Sequence, residues 1–322
     1  MVFFMQVNSM IQWSNMIETI KLLLELGRFR FLAGGFFLYT MGSLLAVIAG
    51  SPFSWQFLLF GYAIMMPAHL SLSYSNNYFD IEVDKYNQPI SIAGGSKVLI
   101  DHPELRPLCK KIALGLMLVS TILATIFIIL FSYPLTYLGF IIFGNLLGWF
   151  YTAPPLRLAY RGLGEIANMI NMGLLMPGIG YWTMHGSLDA VFGLFAIVFF
   201  IYGLEFMIIV ETPDMEGDIK AHKSTLVTKI GRKQSYVILL FSVLLASLYF
   251  FIMGFFGFLP TTINFIPLVL LSLIPLFIAI FGWLKHPLSK TIASKVAQQN
   301  MNALISFILL INVYFVVLLI MV

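Results

Sequence analysis

Charge is scarce in this sequence. Only 10% of its 322 residues are Asp, Glu, Lys or Arg, whereas 60% are hydrophobic. About a quarter of the residues in a soluble globular domain are charged, so the composition excludes that class and indicates an integral membrane protein. Cysteine is almost absent. The single residue Cys109 excludes an intrachain disulfide framework and any cysteine-based zinc or iron–sulfur site.

Long intervals without any Asp, Glu, Lys or Arg set the organisation of the chain. They cover 31–79, 112–156, 234–284 and 296–322, and a fifth, 166–204, contains a single acid. A transmembrane helix needs about 20 apolar residues, so the interval at the carboxyl terminus predicts one span and each of the others predicts two. Gly, Ser and Pro residues mark the bends between paired spans. The predicted spans are 31–50, 54–79, 112–131, 134–151, 166–184, 189–211, 235–256, 264–284 and 298–321.

The basic residues give this layout an orientation. All 18 Lys and Arg residues fall in the amino-terminal segment or in the loops that follow the even-numbered spans. The positive-inside rule makes that side cytoplasmic and puts the carboxyl terminus on the opposite side of the cell membrane. We therefore expect an all-α polytopic protein with about nine transmembrane helices around a central cavity. Residues 1–30 are expected to form a cytoplasmic or interfacial segment, and 31–322 the transmembrane domain, with cytoplasmic cap loops near 80–111 and 212–234.

Two groups of acids lie where predicted spans end. Asn76, Asp80 and Asp84 are four residues apart, so they share one face of a helix, and Asp214 and Asp218 repeat this spacing. Like charges at this spacing repel, and an ionised Asp within a span costs about 2.5–3.5 kcal/mol, so a cation is expected to offset them. Mg²⁺ binds through a few carboxylates and takes phosphate oxygens as further ligands. The pattern predicts a diphosphate site; the alternative is a set of ordinary solvated acids at helix ends.

These motifs resemble those of the UbiA superfamily of intramembrane prenyltransferases. The sequence Asn76-x3-Asp80-x3-Asp84 resembles the first aspartate-rich motif of that family, and Glu211-x2-Asp214-x2-Gly217-Asp218 resembles the second. Between them, the segment 151–157 is similar to the family's tyrosine–proline–basic motif. The nine-span layout also matches, so the resemblance covers nearly the whole chain.

The resemblance implies an Mg²⁺-dependent polyprenyltransferase. Asn76, Asp80, Asp84, Asp214 and Asp218 would hold two Mg²⁺ ions, and these ions would bind the diphosphate of a polyprenyl donor. The four aspartates and Tyr151 would be the catalytic residues. The residues implied to bind substrate are Asn76, Arg157, Lys223, Lys97, Arg30 and Asn168.

Two positions depart from the family pattern. The basic residue after Tyr151 is Arg157, where the family often has Lys, and His222 stands where the second motif commonly has Gly. The roles of His222, Glu205 and Glu211 stay open.

The second loop carries the clue to the acceptor. Residues 88–100 lack the Arg-Pro-Leu-Pro-like run that many members acting on hydroxybenzoate, haem or archaeal lipid precursors carry. This loop and the segment 159–165 look more like the branch that prenylates 1,4-dihydroxy-2-naphthoate for menaquinone. The expected partners are a polyprenyl diphosphate, a lipophilic aromatic acceptor and membrane lipids, with no nucleic acid and no obligate protein partner.

Other functions stay open from the sequence. The acceptor is alternatively 4-hydroxybenzoate or another lipid-pathway compound. An ion-coupled membrane transporter also uses paired intramembrane acids, but it predicts charges near mid-membrane and an inverted repeat. A relative that binds without catalysis is a third reading.

Several polar residues fall inside predicted spans. Asn145 is expected to join helices, while Asn168 and Asn171 either join helices or contact the acceptor. His69 and His185 have no second His at metal-binding spacing, so neither is expected to be a ligand.

Overall fold

The computed structural model describes residues 16–87, 95–285 and 287–321, with the backbone alone at residue 30. Within these ranges there is no strand, which confirms the all-α fold. A five-residue π-helical turn, Asn171–Leu175, separates α8 from α9. The helices are α1 (Met16–Gly27), α2 (Leu32–Ile48), α3 (Trp55–Phe79), α4 (Ile81–Asp84), α5 (Val98–Asp101), α6 (Arg106–Phe131), α7 (Leu135–Thr152), α8 (Gly164–Ile170), α9 (Met176–His185), α10 (Ala190–Glu211), α11 (Met215–Lys220), α12 (Leu226–Phe255), α13 (Phe265–Leu284) and α14 (Lys290–Met321).

Seven helices in the described ranges have the length and apolar character needed to cross a membrane. They are α3, α6, α7, α10, α12, α13 and α14. An eighth span results if α1 and α2, which meet at a bend of 50°, count as one. The predicted number of nine is therefore not confirmed. The predicted span 166–184 corresponds to α8, the π turn and α9, so this segment is helical throughout but divided into three pieces.

Three helices begin earlier than predicted. α6 starts at Arg106, α12 at Leu226 and α14 at Lys290, whereas the sequence predicts starts at 112, 235 and 298. Lys, Arg and Gln are good helix formers, so a charge-free interval marks only the apolar part of a longer helix. α12 contains one break in its course, because Gly231 has φ 79° and ψ 165°. The predicted cap loop 212–234 is thus largely helical.

Small residues bring α2 and α9 into backbone contact. A Cβ atom added at Gly42 would lie 1.9 Å from the carbonyl oxygen of Pro177, and one added at Gly180 would lie 2.0 Å from that of Tyr39. Close approach at small residues is a common basis of helix packing in membranes. α2 is held in this way against the same segment that forms part of the cavity wall.

We expect Gly42→Ala to lower stability by about 1–3 kcal/mol, because the added methyl group must push two backbones apart. Thermal unfolding of the protein in detergent measures this effect. Gly115→Ala on α6 is the matched control, since nothing lies within 4 Å of its added Cβ. Equal unfolding temperatures for the two variants would show that α2 and α9 separate without cost.

An aromatic cluster closes one end of the bundle. Phe57 at the start of α3 packs edge-on against Phe127, with ring centroids 5.8 Å apart, and Phe127 also contacts Tyr137 near the start of α7. The Tyr137 hydroxyl hydrogen-bonds the Thr183 hydroxyl at 2.7 Å. The first acid group lies at the opposite end of α3 from this cluster.

Candidate functional site

The first acid group lines a cavity of about 450 Å³. The Asp80 amide donates to the Asn76 carbonyl at 2.8 Å, and the Asp84 amide donates to the Asp80 carbonyl at 2.9 Å. These bonds continue the helical register past the end of α3, so Asn76, Asp80 and Asp84 all line the cavity. The shared face predicted from their spacing is confirmed.

The second acid group lies on the same cavity, at the end of α10 and on α11. Asp214 and Asp218 both line it, together with Glu211. The first cap loop reaches this group directly, because the Asn87 side chain donates a hydrogen bond to Asp218 Oδ1 at 3.2 Å. A Cβ at Gly217 would lie 1.8 Å from Asn87 Oδ1. The two groups predicted separately from the sequence therefore form one site.

The site holds more negative than positive charge. Among the described residues, five acids and two cations, Arg28 and Lys223, line the cavity. Burial, together with the charge of Asp80, raises the pKa of Asp84 to about 7. Burial lowers the pKa of Lys223, but the carboxylates of Asp218 and Asp80 outweigh it and raise that pKa well above its usual value. Lys223 therefore stays charged, and a further cation would stabilise the acids.

The oxygen atoms of the side chains at this site suit a hard cation whose coordination shell also includes atoms of a bound ligand. In the ranges that the structure describes, no three His, Cys, Asp or Glu side chains converge to hold an ion by themselves. Mg²⁺ usually binds to one or two carboxylates and completes its octahedral shell with water and phosphate oxygens. Asn87 Oδ1 adds a buried oxygen that has no hydrogen-bond partner in the described chain. The site thus suits Mg²⁺ bound together with a phosphate compound.

Tyr160 connects a predicted basic residue to the acids. Its hydroxyl donates to Asp80 Oδ1 at 2.6 Å, and the Arg157 guanidinium lies 3.9 Å from the centre of its ring. Burial and the charge of Asp80 raise the pKa of Tyr160, so the hydroxyl remains a donor. Arg157 itself is exposed and does not line the cavity. No role for Tyr160 was predicted from the sequence, where it falls in the segment 159–165; in the structure it lies in a short 3-10 helix.

The other predicted site residues divide into those at the cavity and those away from it. Tyr151 lines it, with its hydroxyl 3.9 Å from Met207 Sδ. Asn168 also lines it, and its amide donates to the Gly203 carbonyl at 3.0 Å, which joins α8 to α10. Lys97 is described but does not line the cavity. The side chain of Arg30 and residues 88–94 lie outside the described part of the chain.

Two further polar residues lie within membrane-crossing helices, Asn145 on α7 and Glu205 on α10. Asn145 donates to Thr121 Oγ1 at 3.3 Å, which agrees with its predicted role in joining helices. Glu205 is fully buried on α10 outside the cavity lining, and neither of its carboxylate oxygens is hydrogen-bonded to a described residue.

The aromatic residues beside the motifs do not face the cavity. Phe79, Trp149 and Phe150 lie beside the motifs in the sequence, but none of them lines the cavity. Phe79 and Trp149 instead pack edge-to-face, with ring centroids 5.4 Å apart. The aromatic side chains that line the cavity are Phe31, Tyr151 and Phe206.

The cavity walls away from the acids are mostly apolar, although His69 and Asn145 also line them. Residues of α2, α3, α7, α9 and α14 form them, including Leu38, Met65, Ile141, Met176 and Ile308. The fold and the site together define a multi-pass membrane protein whose cavity has an acidic end and a long apolar interior. The chain matches the UbiA prenyltransferase family over residues 36–306. It belongs to that family.

Solved structures share this fold. A structure reported for digeranylgeranylglyceryl phosphate synthase in membranes has a TM-score of 0.60 at 20% identity, covering 92% of this chain and 99% of its own. An apo UbiA homologue from Aeropyrum pernix K1 has a TM-score of 0.60 at 14% identity, covering 85% and 97%. A UbiA homologue from Archaeoglobus fulgidus, bound to DMAPP and Mg²⁺, has a TM-score of 0.59 at 12% identity, covering 88% and 98%. A search of the curated proteins gave no match.

Proposed function

We propose that this protein transfers a polyprenyl chain from a polyprenyl diphosphate to a lipophilic aromatic acceptor and releases diphosphate. One observation carries the proposal: both acid groups border one end of a single cavity whose other walls are mostly apolar. A diphosphate with a hydrocarbon tail has this same division into charged and apolar parts. Family membership and the homologue bound to DMAPP and Mg²⁺ support the assignment.

The residues proposed to bind Mg²⁺ are the polar side chains of the two acid groups that line the cavity. Asn76, Asp80 and Asp84 would hold one ion, and Asp214 and Asp218 a second. When bound, Mg²⁺ supplies Lewis-acid stabilisation of the negative charge that develops on the leaving diphosphate.

The reaction breaks the bond between the first carbon of the allylic chain and a diphosphate oxygen. A carbon of the acceptor ring forms the new bond to that allylic carbon and loses a proton, and diphosphate leaves. Lys223 and Arg28 provide fixed positive charge beside the leaving anion. Tyr151 and Phe206 present rings to the electron-deficient carbon. The apolar walls exclude water, which would otherwise capture that carbon.

For the acceptor we propose 1,4-dihydroxy-2-naphthoate. Support comes from the sequence of the second loop, which lacks the Arg-Pro-Leu-Pro-like run. The test is a competition in which the purified protein receives geranylgeranyl diphosphate, Mg²⁺ and equal amounts of the naphthoate and 4-hydroxybenzoate. Mass spectrometry then identifies the products.

A prenylated product derived from the naphthoate is expected. Prenylation of 4-hydroxybenzoate alone would show that this compound, and not the naphthoate, is the acceptor. It would still support the proposed transferase activity. No product with either acceptor, combined with ion-driven uptake of a solute into liposomes, would favour the transporter and contradict the proposal.

We also propose that the acidic end faces the cytoplasm of a cell membrane. Support comes from the distribution of the 18 Lys and Arg residues, which the predicted layout places on one side.

The backbone of the first cap loop lies against one of the acids at Gly95, and this contact can be tested. A Cβ at Gly95 would lie 1.6 Å from Asp84 Oδ1, so the backbone here rests directly on the carboxylate. We expect Gly95→Ala to lower the rate of diphosphate release at least about tenfold, because the methyl group displaces an acid that is proposed to hold Mg²⁺. Gly115→Ala is again the control. Full activity of Gly95→Ala would show that the loop does not fix Asp84.

A further inference from the structure

His69 is a polar side chain in the apolar part of the cavity. It lies on α3 among lining residues that include Met65 and Leu72. Its Nδ1 atom is buried and has no hydrogen-bond partner in the described chain. Seven residues separate it from Asn76, which is two helical turns, so it lies on the same face about 10 Å deeper in the cavity.

A glycine of α2 accommodates the imidazole. A Cβ at Gly35 would lie 2.5 Å from His69 Nδ1 and 2.7 Å from Cε1, so the edge of the ring formed by these atoms faces the α2 backbone. His185 differs, because its Nδ1 hydrogen-bonds the Ser51 hydroxyl at 2.7 Å and it does not line the cavity. Nε2 is therefore the ring nitrogen of His69 that can reach a molecule in the cavity.

The prenyl donor offers the His69 imidazole no hydrogen-bond partner. A hydrocarbon tail has no hydrogen-bonding atom, and a polar group kept from water without a partner is destabilising. A ring acceptor that presents one carbon at the acidic end extends its far substituents deeper into the cavity. The described part of the chain offers Nδ1 no acceptor, so the proton of a neutral imidazole lies on Nε2, and Nε2–H can donate to a hydroxyl oxygen there.

We propose that His69 is a specificity-determining residue that donates a hydrogen bond from Nε2 to a ring hydroxyl oxygen of the aromatic acceptor. The inference rests on the proposed function and adds to it the group that selects hydroxylated rings. A site built to hydrogen-bond a substrate hydroxyl strongly rejects an analogue that lacks it.

The test measures binding without turnover. Equilibrium dialysis of the detergent-purified full-length protein, with no prenyl diphosphate present, gives dissociation constants for 1-naphthol and for 1-methylnaphthalene, which has no oxygen to accept a hydrogen bond. We expect the wild-type protein to prefer the naphthol by about tenfold. In His69→Leu this preference should disappear, with the affinity for 1-methylnaphthalene little changed.

Two conservative variants separate hydrogen bonding from packing. A Gln side chain places its amide where Nε2 of His lies, whereas an Asn amide corresponds to Nδ1. We expect His69→Gln to retain most of the preference and His69→Asn to lose it. His185→Leu is the matched control and should behave as wild type, and thermal unfolding in detergent verifies that each variant is folded.

Two results would overturn the proposal. One is an equal preference for the naphthol in wild type and in folded His69→Leu, which leaves His69 a packing role only. The other is equal binding of both compounds by the wild-type protein. Failure of the proposed function is recognised separately, because it appears as an absence of diphosphate release by the wild-type protein supplied with prenyl diphosphate, Mg²⁺ and acceptors.

Discussion

Replacement of Asp80 or Asp214 by Asn is expected to lower the rate of prenyl transfer by at least about a thousandfold. Each variant keeps the shape of the side chain and removes a negative charge from the acidic end of the cavity. The charge on the leaving diphosphate would then lack the cation that the acids bind. Diphosphate release in a single turnover, with saturating Mg²⁺ and donor, measures the loss.

In contrast to its activity, the thermal stability of Asp80→Asn without bound metal is not expected to fall. The charge of Asp80 helps to raise the pKa of Asp84, so these carboxylates repel each other in the protein without metal. We expect Asp80→Asn to unfold at the same temperature as the wild-type protein or a higher one when Mg²⁺ is chelated. A lower temperature, or near-normal activity in either Asn variant, would count against the assignment.

Glu82→Gln provides the matched control for these substitutions. Glu82 lies between Asp80 and Asp84 in the sequence, but its side chain is 77% exposed, pairs with Lys85 and does not line the cavity. We expect its activity to stay within a factor of about two of wild type, since exposed ion pairs contribute little.

Lys223→Gln is expected to lower the transfer rate by about a hundredfold. Lys223 lines the acidic end, and Asp218 and Asp80 keep its ammonium group charged. Because its charge adds to that of the metal at the leaving diphosphate, we expect the loss mainly in kcat. Initial rates at varied donor concentration separate kcat from KM.

Two further variants define the role of this ammonium group. Lys220→Gln, an exposed position in the same segment, should retain activity. Lys223→Arg should recover only part of the activity, because a planar guanidinium does not replace a compact ammonium in a confined site. Equal effects at positions 220 and 223 would exclude a specific contact between Lys223 and the donor.

Local spacing predicted the acids well. Asn76, Asp80 and Asp84 share a cavity face because four-residue steps along a helix depend only on helical geometry, which continues past the end of α3. The all-α fold and the membrane-crossing helices were likewise predicted from local sequence alone. Apolar length is a property of a segment and needs no knowledge of its neighbours.

The missed features depend on tertiary packing. Tyr160 reaches Asp80, and Asn87 reaches Asp218, across large separations in sequence, and no local motif reveals either contact. Arg28 lines the cavity although it falls within the segment expected to lie at the interface. Helix starts such as Arg106 were placed too late, since charged residues end an apolar interval without ending a helix.

The most direct measurement is diphosphate release from geranylgeranyl diphosphate by the purified protein, as a function of Mg²⁺ and with or without an aromatic acceptor. The account predicts release that requires both the metal and the acceptor, together with one prenylated product, and no release after chelation by EDTA. Release that persists in EDTA, or that proceeds equally without acceptor, would contradict a metal-dependent prenyl transfer at the paired acids.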